Sequence, residues 1–205
     1  MKKLLIISII FILIILGGYL TYNFLTSDKC NSLSNLQSER DSCYKTLAKE
    51  KQDISLCGNI EFEGHVQECY LDLALLKGDS NICSRISKTQ YPHYSDRCYK
   101  EIALSFGDSS LCSDILDENQ RSDCYLDVAL KIGAFSLCEK VDVKESCYGP
   151  LIEQNTEPSI CFTLETRWKN ECYYAVAVKN KNPSLCNHMD DPGEDNLNDC
   201  IADAS

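Results

Sequence analysis

Cysteine is the residue type in this 205-residue chain whose number and spacing point to chemistry, with fourteen copies. Such a set can pair into cystines, hold a metal as thiolates, or cycle through disulfide exchange. Cys43/Cys57, Cys69/Cys83, Cys98/Cys112, Cys124/Cys138, Cys147/Cys161 and Cys172/Cys186 each lie fourteen residues apart. The intervals between, from Cys30/Cys43 to Cys186/Cys200, run from 9 to 15 residues. One fixed spacing alternating with a variable one marks a tandem repeat. C-x-x-C, the motif of zinc sites and thiol exchange, is absent. Structural cystines are the favoured reading.

The element that presents the cysteines follows from what surrounds them. Counting the Cys that opens the fixed interval as position 0, position +1 is Tyr throughout: Tyr44, Tyr70, Tyr99, Tyr125, Tyr148 and Tyr173. Position +4 is Leu47, Leu73, Ile102, Val128, Leu151 or Val176, and position +5 is Ala48, Ala74, Ala103, Ala129, Ile152 or Ala177. At 100° per residue these positions cover an arc of about 140°, one side of an α-helix. The Ala row lets a neighbouring helix come close.

Punctuation follows at fixed offsets. Gly78, Gly107 and Gly133 stand at +9, where a helix end takes a left-handed residue. Asp53, Asp79, Asp108 and Asn182 stand at +10 as helix caps, with Ala134 and Glu157 as exceptions. Pro158 and Pro183 stand at +11, a favoured first helical residue. Each unit therefore reads as a short helix, a turn of variable length and a longer helix. Seven units open at Cys30, Cys57, Cys83, Cys112, Cys138, Cys161 and Cys186. A single hairpin cannot bury its apolar face but a stack can, so the expected fold class is all-α, an α-solenoid over residues 30–205.

Connectivity is a matter of height along antiparallel helices. The Cys of the short helix sits about one turn before its end and that of the long helix about one turn after its start, side by side across the variable turn. The expected pairs are Cys30–Cys43, Cys57–Cys69, Cys83–Cys98, Cys112–Cys124, Cys138–Cys147, Cys161–Cys172 and Cys186–Cys200. Pairing across the Gly-Asp corners instead would orphan Cys30 and Cys200.

Helical hairpins with Ala at close contacts, Gly at corners and one Cys pair each resemble the cysteine-rich Sel1-like proteins, relatives of the tetratricopeptide solenoids. The likeness covers residues 30–205 in style. The Sel1 unit is longer and has a Gly-x-Gly-Val turn that this sequence lacks. The resemblance implies a secreted or surface-held binding solenoid without enzymatic chemistry, and no functional residue carries over.

The N-terminus reads as targeting. Lys2 and Lys3, in an n-region of residues 1–3, precede a span over residues 4–25 with Ser8, Thr21 and Asn23 as its polar interruptions. The lysines favour a cytoplasmic N-terminus, with linker 26–29 and the repeats outside. The span can serve as an uncleaved anchor, be cut as a signal peptide, or precede a lipidated Cys30. No A-x-A-like site stands out, and Cys30 follows Ser27-Asp28-Lys29 instead of a small apolar box. The expected partners are the membrane, through this helix, and a protein or peptide. Residues 30–205 carry 17 basic and 30 acidic side chains, which argues against nucleic acid.

Other chemistry finds little footing. No G-x-S-x-G or paired-carboxylate setting is present, so the chain is expected to be no enzyme and to need no cofactor. His65, His93 and His188 lie in different units without ligand spacing, and no metal is expected. The acidic stretch 190–195 lacks an EF-hand pattern and reads as a solvated turn. The Tyr row and Trp168 read as packing residues. The wide turn over residues 87–95, with Tyr91, His93 and Tyr94, is the candidate contact loop. In the fifth unit Gly149-Pro150 follows Cys147-Tyr148, and the long helix is expected to begin or kink at Pro150, bending the solenoid. Two other functions remain open: an envelope redox or metal-handling protein with cycling Cys pairs, and a spacer without a ligand.

Overall fold

The computed structural model describes residues 30–33 and 36–205, and these are helical, with no strand among them. The expected membrane segment 4–25 lies outside the described residues. Among those described, no helix is long and apolar enough to cross a membrane. The long helices are α1 (Gln37–Lys51), α2 (Glu63–Lys77), α3 (Pro92–Phe106), α4 (Glu118–Ile132), α5 (Lys144–Gln154), α7 (Thr166–Asn180) and α8 (Glu194–Asp203). Between them lie one-turn α6 (Pro158–Cys161) and the 3-10 helices η1 (Ile54–Asn59), η2 (Ser80–Arg85), η3 (Ser109–Asp114), η4 (Phe135–Lys140) and η5 (Pro183–His188).

The repeat code builds each corner. Gly78, Gly107 and Gly133 adopt φ of 63°, 69° and 70°, the left-handed conformation in which glycine carries no Cβ penalty. Gln52 and Lys181 take the same place at φ 51° and 49°, a costlier choice for a residue with a Cβ. The next N–H then turns back onto the Ala carbonyl at +5. These bonds run from Asp53 to Ala48 (3.0 Å), Asp79 to Ala74 (3.1 Å), Asp108 to Ala103 (3.0 Å), Ala134 to Ala129 (3.0 Å) and Asn182 to Ala177 (2.9 Å). This is the Schellman closure of a helix. The side chains of Asp53, Asp79, Asp108 and Asn182 then accept from the N–H two residues on, starting the short helix.

Each short helix delivers its Cys to the core and stops. The N–H three residues after that Cys donates to the Cys carbonyl in all seven hairpins, from Leu33 on Cys30 to Met189 on Cys186. The seven disulfides are those expected from the spacing, with Cα–Cα separations of 5.4 to 6.0 Å. No cysteine is free. Seven such bonds suit an oxidising, extracytoplasmic environment.

Packing divides the chain into two units, one up to Ile102 and one from Ala103 onward. In the first, α1 packs on α2. In the second, α4 packs on α5, α5 on α7, and α7 on α8. The contacts are made by the stripe at +4 and +5: Leu73, Ala74, Val128, Ala129, Val176 and Ala177 are fully buried. The Tyr at +1 joins this layer, since Tyr44, Tyr99, Tyr125, Tyr148 and Tyr173 are buried and Tyr70 is half-buried. Trp168 is buried as well. Salt bridges Lys45–Glu68 (2.7 Å) and Lys49–Asp72 (3.0 Å) line the α1–α2 seam. At the helix ends, Lys77 donates to the Gln52 carbonyl (3.0 Å) and Lys179 to that of Glu153 (2.7 Å). A lysine against C-terminal carbonyls satisfies groups the helix leaves open and complements its dipole.

The fifth hairpin departs from expectation in one respect. Helix α5 does not begin at Pro150 but at Lys144, and Pro150 lies inside it. The helix is shorter, 11 residues against 15 for α2, and it ends at extended Asn155 (φ −76°) without a left-handed residue. A proline within a helix forfeits one backbone hydrogen bond. Tertiary contacts hold this segment instead: Tyr148 stacks on Trp168 at 4.6 Å and 14° between planes.

Candidate functional site

Exposed apolar side chains stand both at the corners, at Leu76, Phe106 and Ile132, and on the edge where a short helix turns into its long helix. An N-cap position favours Ser, Thr, Asp or Asn, whose oxygen accepts an orphan N–H. Here α1, α2 and α5 are preceded by Leu36, Phe62 and Val143, which make no such bond. All three are exposed, at 53%, 58% and 59%. Leu116, just before the α4 cap Asp117, is 52% exposed.

A polar side chain two residues before the Cys of several long helices instead holds the backbone of the turn that leads to the next one. Asp41, fully buried, accepts from the N–H groups of Glu61 (3.0 Å) and Phe62 (3.1 Å). Gln67 accepts from Ser87 N–H (3.2 Å), Ser122 from Asp142 N–H (2.9 Å) and Asn170 from Asp190 N–H (2.7 Å). Sequence reading missed this clamp, although its signal is plain afterwards: the −2 position is Asp41, Gln67, Asp96, Ser122, Glu145, Asn170 and Asn198, polar in every hairpin.

The candidate contact residues lie on this same edge, in the third hairpin. The loop is shorter than the 87–95 turn expected, because α3 starts at Pro92, and His93 and Tyr94 occupy its first turn. A proline at N1 has the right φ and no N–H to leave unpaired. The Tyr91 hydroxyl donates to Glu63 (2.9 Å) and that of Tyr94 to Glu68 (3.4 Å), so both tyrosines lean on α2. His93 is exposed and edges against the Tyr94 ring at 6.0 Å.

A cavity of about 420 Å³ opens at the edge between α1 and α2, lined by Gln37, Ser38, Asp41, Phe62 and His65. Phe62 meets His65 edge-on at 4.9 Å, and His65 Nδ1 lies 3.6 Å from the Asp41 carboxylate. A second depression of about 230 Å³ is lined by Lys45, Glu68, Asp72, His93, Tyr94 and Arg97, among others. In it the Lys45 ammonium, hydrogen-bonded to Glu68, holds that carboxyl below its ordinary value. Accepting the Tyr91 hydroxyl, Glu63 pushes that phenol up.

The other residues weighed for chemistry are structural in their surroundings. His188 stacks on Tyr173 at 5.4 Å. Asp190 of the acidic stretch binds Lys169 (2.7 Å) and so ties the last turn to α7. Among the described residues, no cluster of three or more His, Cys, Asp or Glu could hold a metal ion. Exposed apolar side chains thus stand on turns stapled by disulfides. No protein-family model, curated protein or solved structure matches the chain.

Proposed function

We propose that this chain is a membrane-anchored, extracytoplasmic α-solenoid that binds a protein or peptide along its hairpin-turn edge, without enzymatic chemistry. The observation that carries the reading is the exposure of Leu36, Phe62, Leu116 and Val143 at or beside positions where polar caps are preferred. Apolar residues there forgo a capping hydrogen bond, and aromatic or aliphatic anchors at an edge are what a partner's pocket takes up. Tyr91 and His93, in the third hairpin, extend the same edge. The apolar run over residues 4–25 supplies the anchor, and the long helices packed on one another within each unit supply the stacking that a solenoid needs. Burial of the cystines supports a structural role for them over cycling.

The test is site-specific photocrosslinking on cells that express the full chain. A crosslinker replacing Phe62 or Val143 is expected to yield a discrete protein adduct, whereas one replacing Gln52 or Lys181 at the corners yields none. Equal labelling from edge and corner, or none from the edge, would sink the reading.

A further inference from the structure

One of the seven cystines is not sealed. Thirteen of the cysteines are no more than 1% exposed, whereas Cys43 is half-buried. We infer that the Cys30–Cys43 disulfide is a thiol-exchange site, at which a small thiol attacks Cys43 and displaces Cys30. The site lies within the first hairpin and does not depend on the binding edge.

The opening follows from the place of this hairpin in its unit. In the second hairpin Cys57 and Cys69 are both at 0%, and α2 has α1 packed on it. Among the described residues no long helix precedes α1, so its far side is uncovered. At 100° per residue, Ser42, Cys43, Thr46 and Glu50 gather within an arc of about 100°. Asp41, Lys45 and Lys49, which bond to the second hairpin, mark a different face. A groove of about 320 Å³ runs along the open face, lined by Cys30, Ser42, Cys43, Thr46 and Leu47 among others and by no residue of α2.

The exchange step is balanced. A thiolate attacks Cys43 Sγ, and a new S–S bond forms as the Cys30–Cys43 bond breaks. Cys30, the less exposed of the two, leaves with the bonding electron pair and takes a proton from water. The product is a mixed disulfide on Cys43 and a free thiol on Cys30. A second thiol that attacks the mixed disulfide releases Cys43 as a thiol and departs as the oxidised, disulfide-linked reagent. The Tyr44 hydroxyl donates to Asn31 Oδ1 at 2.7 Å, joining the residue beside Cys43 to the residue beside Cys30. That bond keeps the two sulfurs near each other once the disulfide is open, so reoxidation recloses the same pair.

The experiment exposes the full chain in nanodiscs to 2-mercaptoethanol at pH 8 without denaturant. The reaction is quenched by alkylation and every cysteine is mapped by mass spectrometry. Mercaptoethanol adducts on Cys43, with Cys30 alkylated, are expected at least about tenfold faster than any change at Cys57 or Cys69. Thr46→Trp, at an exposed position of the groove, is expected to slow the reaction at Cys43 severalfold and to leave the thermal melt unchanged. Equal rates in the first two hairpins would overturn the assignment. So would adducts on Cys30 in place of Cys43, or a rate indifferent to Thr46→Trp, since either shows that the hairpin opens before it reacts.

Discussion

The second and fifth hairpins share a repeat but are held by different physics. In the second, Asp53 caps η1, α2 runs 15 residues and Gly78 ends it in the left-handed conformation. In the fifth, Ala134 makes no side-chain cap, α5 contains Pro150, and it stops after 11 residues at an extended Asn155. Long-range contacts take the place of local signals there. Tyr148 donates to Glu139 (2.7 Å), lies 6.2 Å from Phe135 and stacks on Trp168, over which Arg167 sits at 4.5 Å. Burial, together with the bond to Glu139, raises the Tyr148 phenol well above its ordinary range. In the fifth hairpin, which lacks part of the local code, a large aromatic residue from the next hairpin stacks on its own tyrosine.

The comparison breaks most visibly at Trp168. Its replacement by Ala is expected to cost about 3–5 kcal/mol in denaturant unfolding of the chain with disulfides intact. His65, the residue at the same repeat position in the second hairpin, is expected to cost under about 1 kcal/mol on changing to Ala. Similar losses at both sites would erase the proposed division. Next in size are the staples. Removing Cys57–Cys69 or Cys138–Cys147 as an Ala pair should lower stability by about 3 kcal/mol, slightly less for the shorter loop. Thermal melts of the two variants measure this, and a much larger loss in the fifth hairpin would show that its aromatic contacts do not hold it unaided.

The local code gives smaller effects. Asp79→Ala should cost about 1 kcal/mol, and Ala134→Asp should gain up to about as much by restoring a cap to the fifth hairpin. No gain from Ala134→Asp would mean that η4 has departed from the common geometry. The smallest effect is electrostatic and belongs to the regular half. The Lys45 bond lowers the Glu68 pKa from its ordinary 4.5. That pairing therefore stabilises the fold above the ordinary value and is lost as pH falls through the lowered one. Glu68→Gln should flatten this part of an acid titration, by a small amount because the pair is partly exposed.

Legibility differed by element for a physical reason. The corners were legible because Gly78, Asp79 and their equivalents act on their own backbone within a few residues. Disulfide pairing was legible because antiparallel helices have a fixed rise, so spacing sets height. The start of α5 was not, since Pro150 by itself argues for a helix start as well as for a kink, and the Tyr148–Trp168 stack beside it joins residues twenty apart. The loop around Tyr91 was read too long because Pro92 serves as the first residue of α3.

By itself the sequence determined a tandem helical hairpin, seven cystines and an acidic surface, all of them products of local backbone preference, helical rise and composition. Only the tertiary structure decided what the −2 side chains do. Asp41 reaches across twenty residues to hold the Glu61 and Phe62 N–H groups of the turn ahead of the next helix, and an acceptor for a remote N–H leaves no mark on its own stretch of chain. That reach fixes the turn ahead of α2, where Phe62 stands exposed.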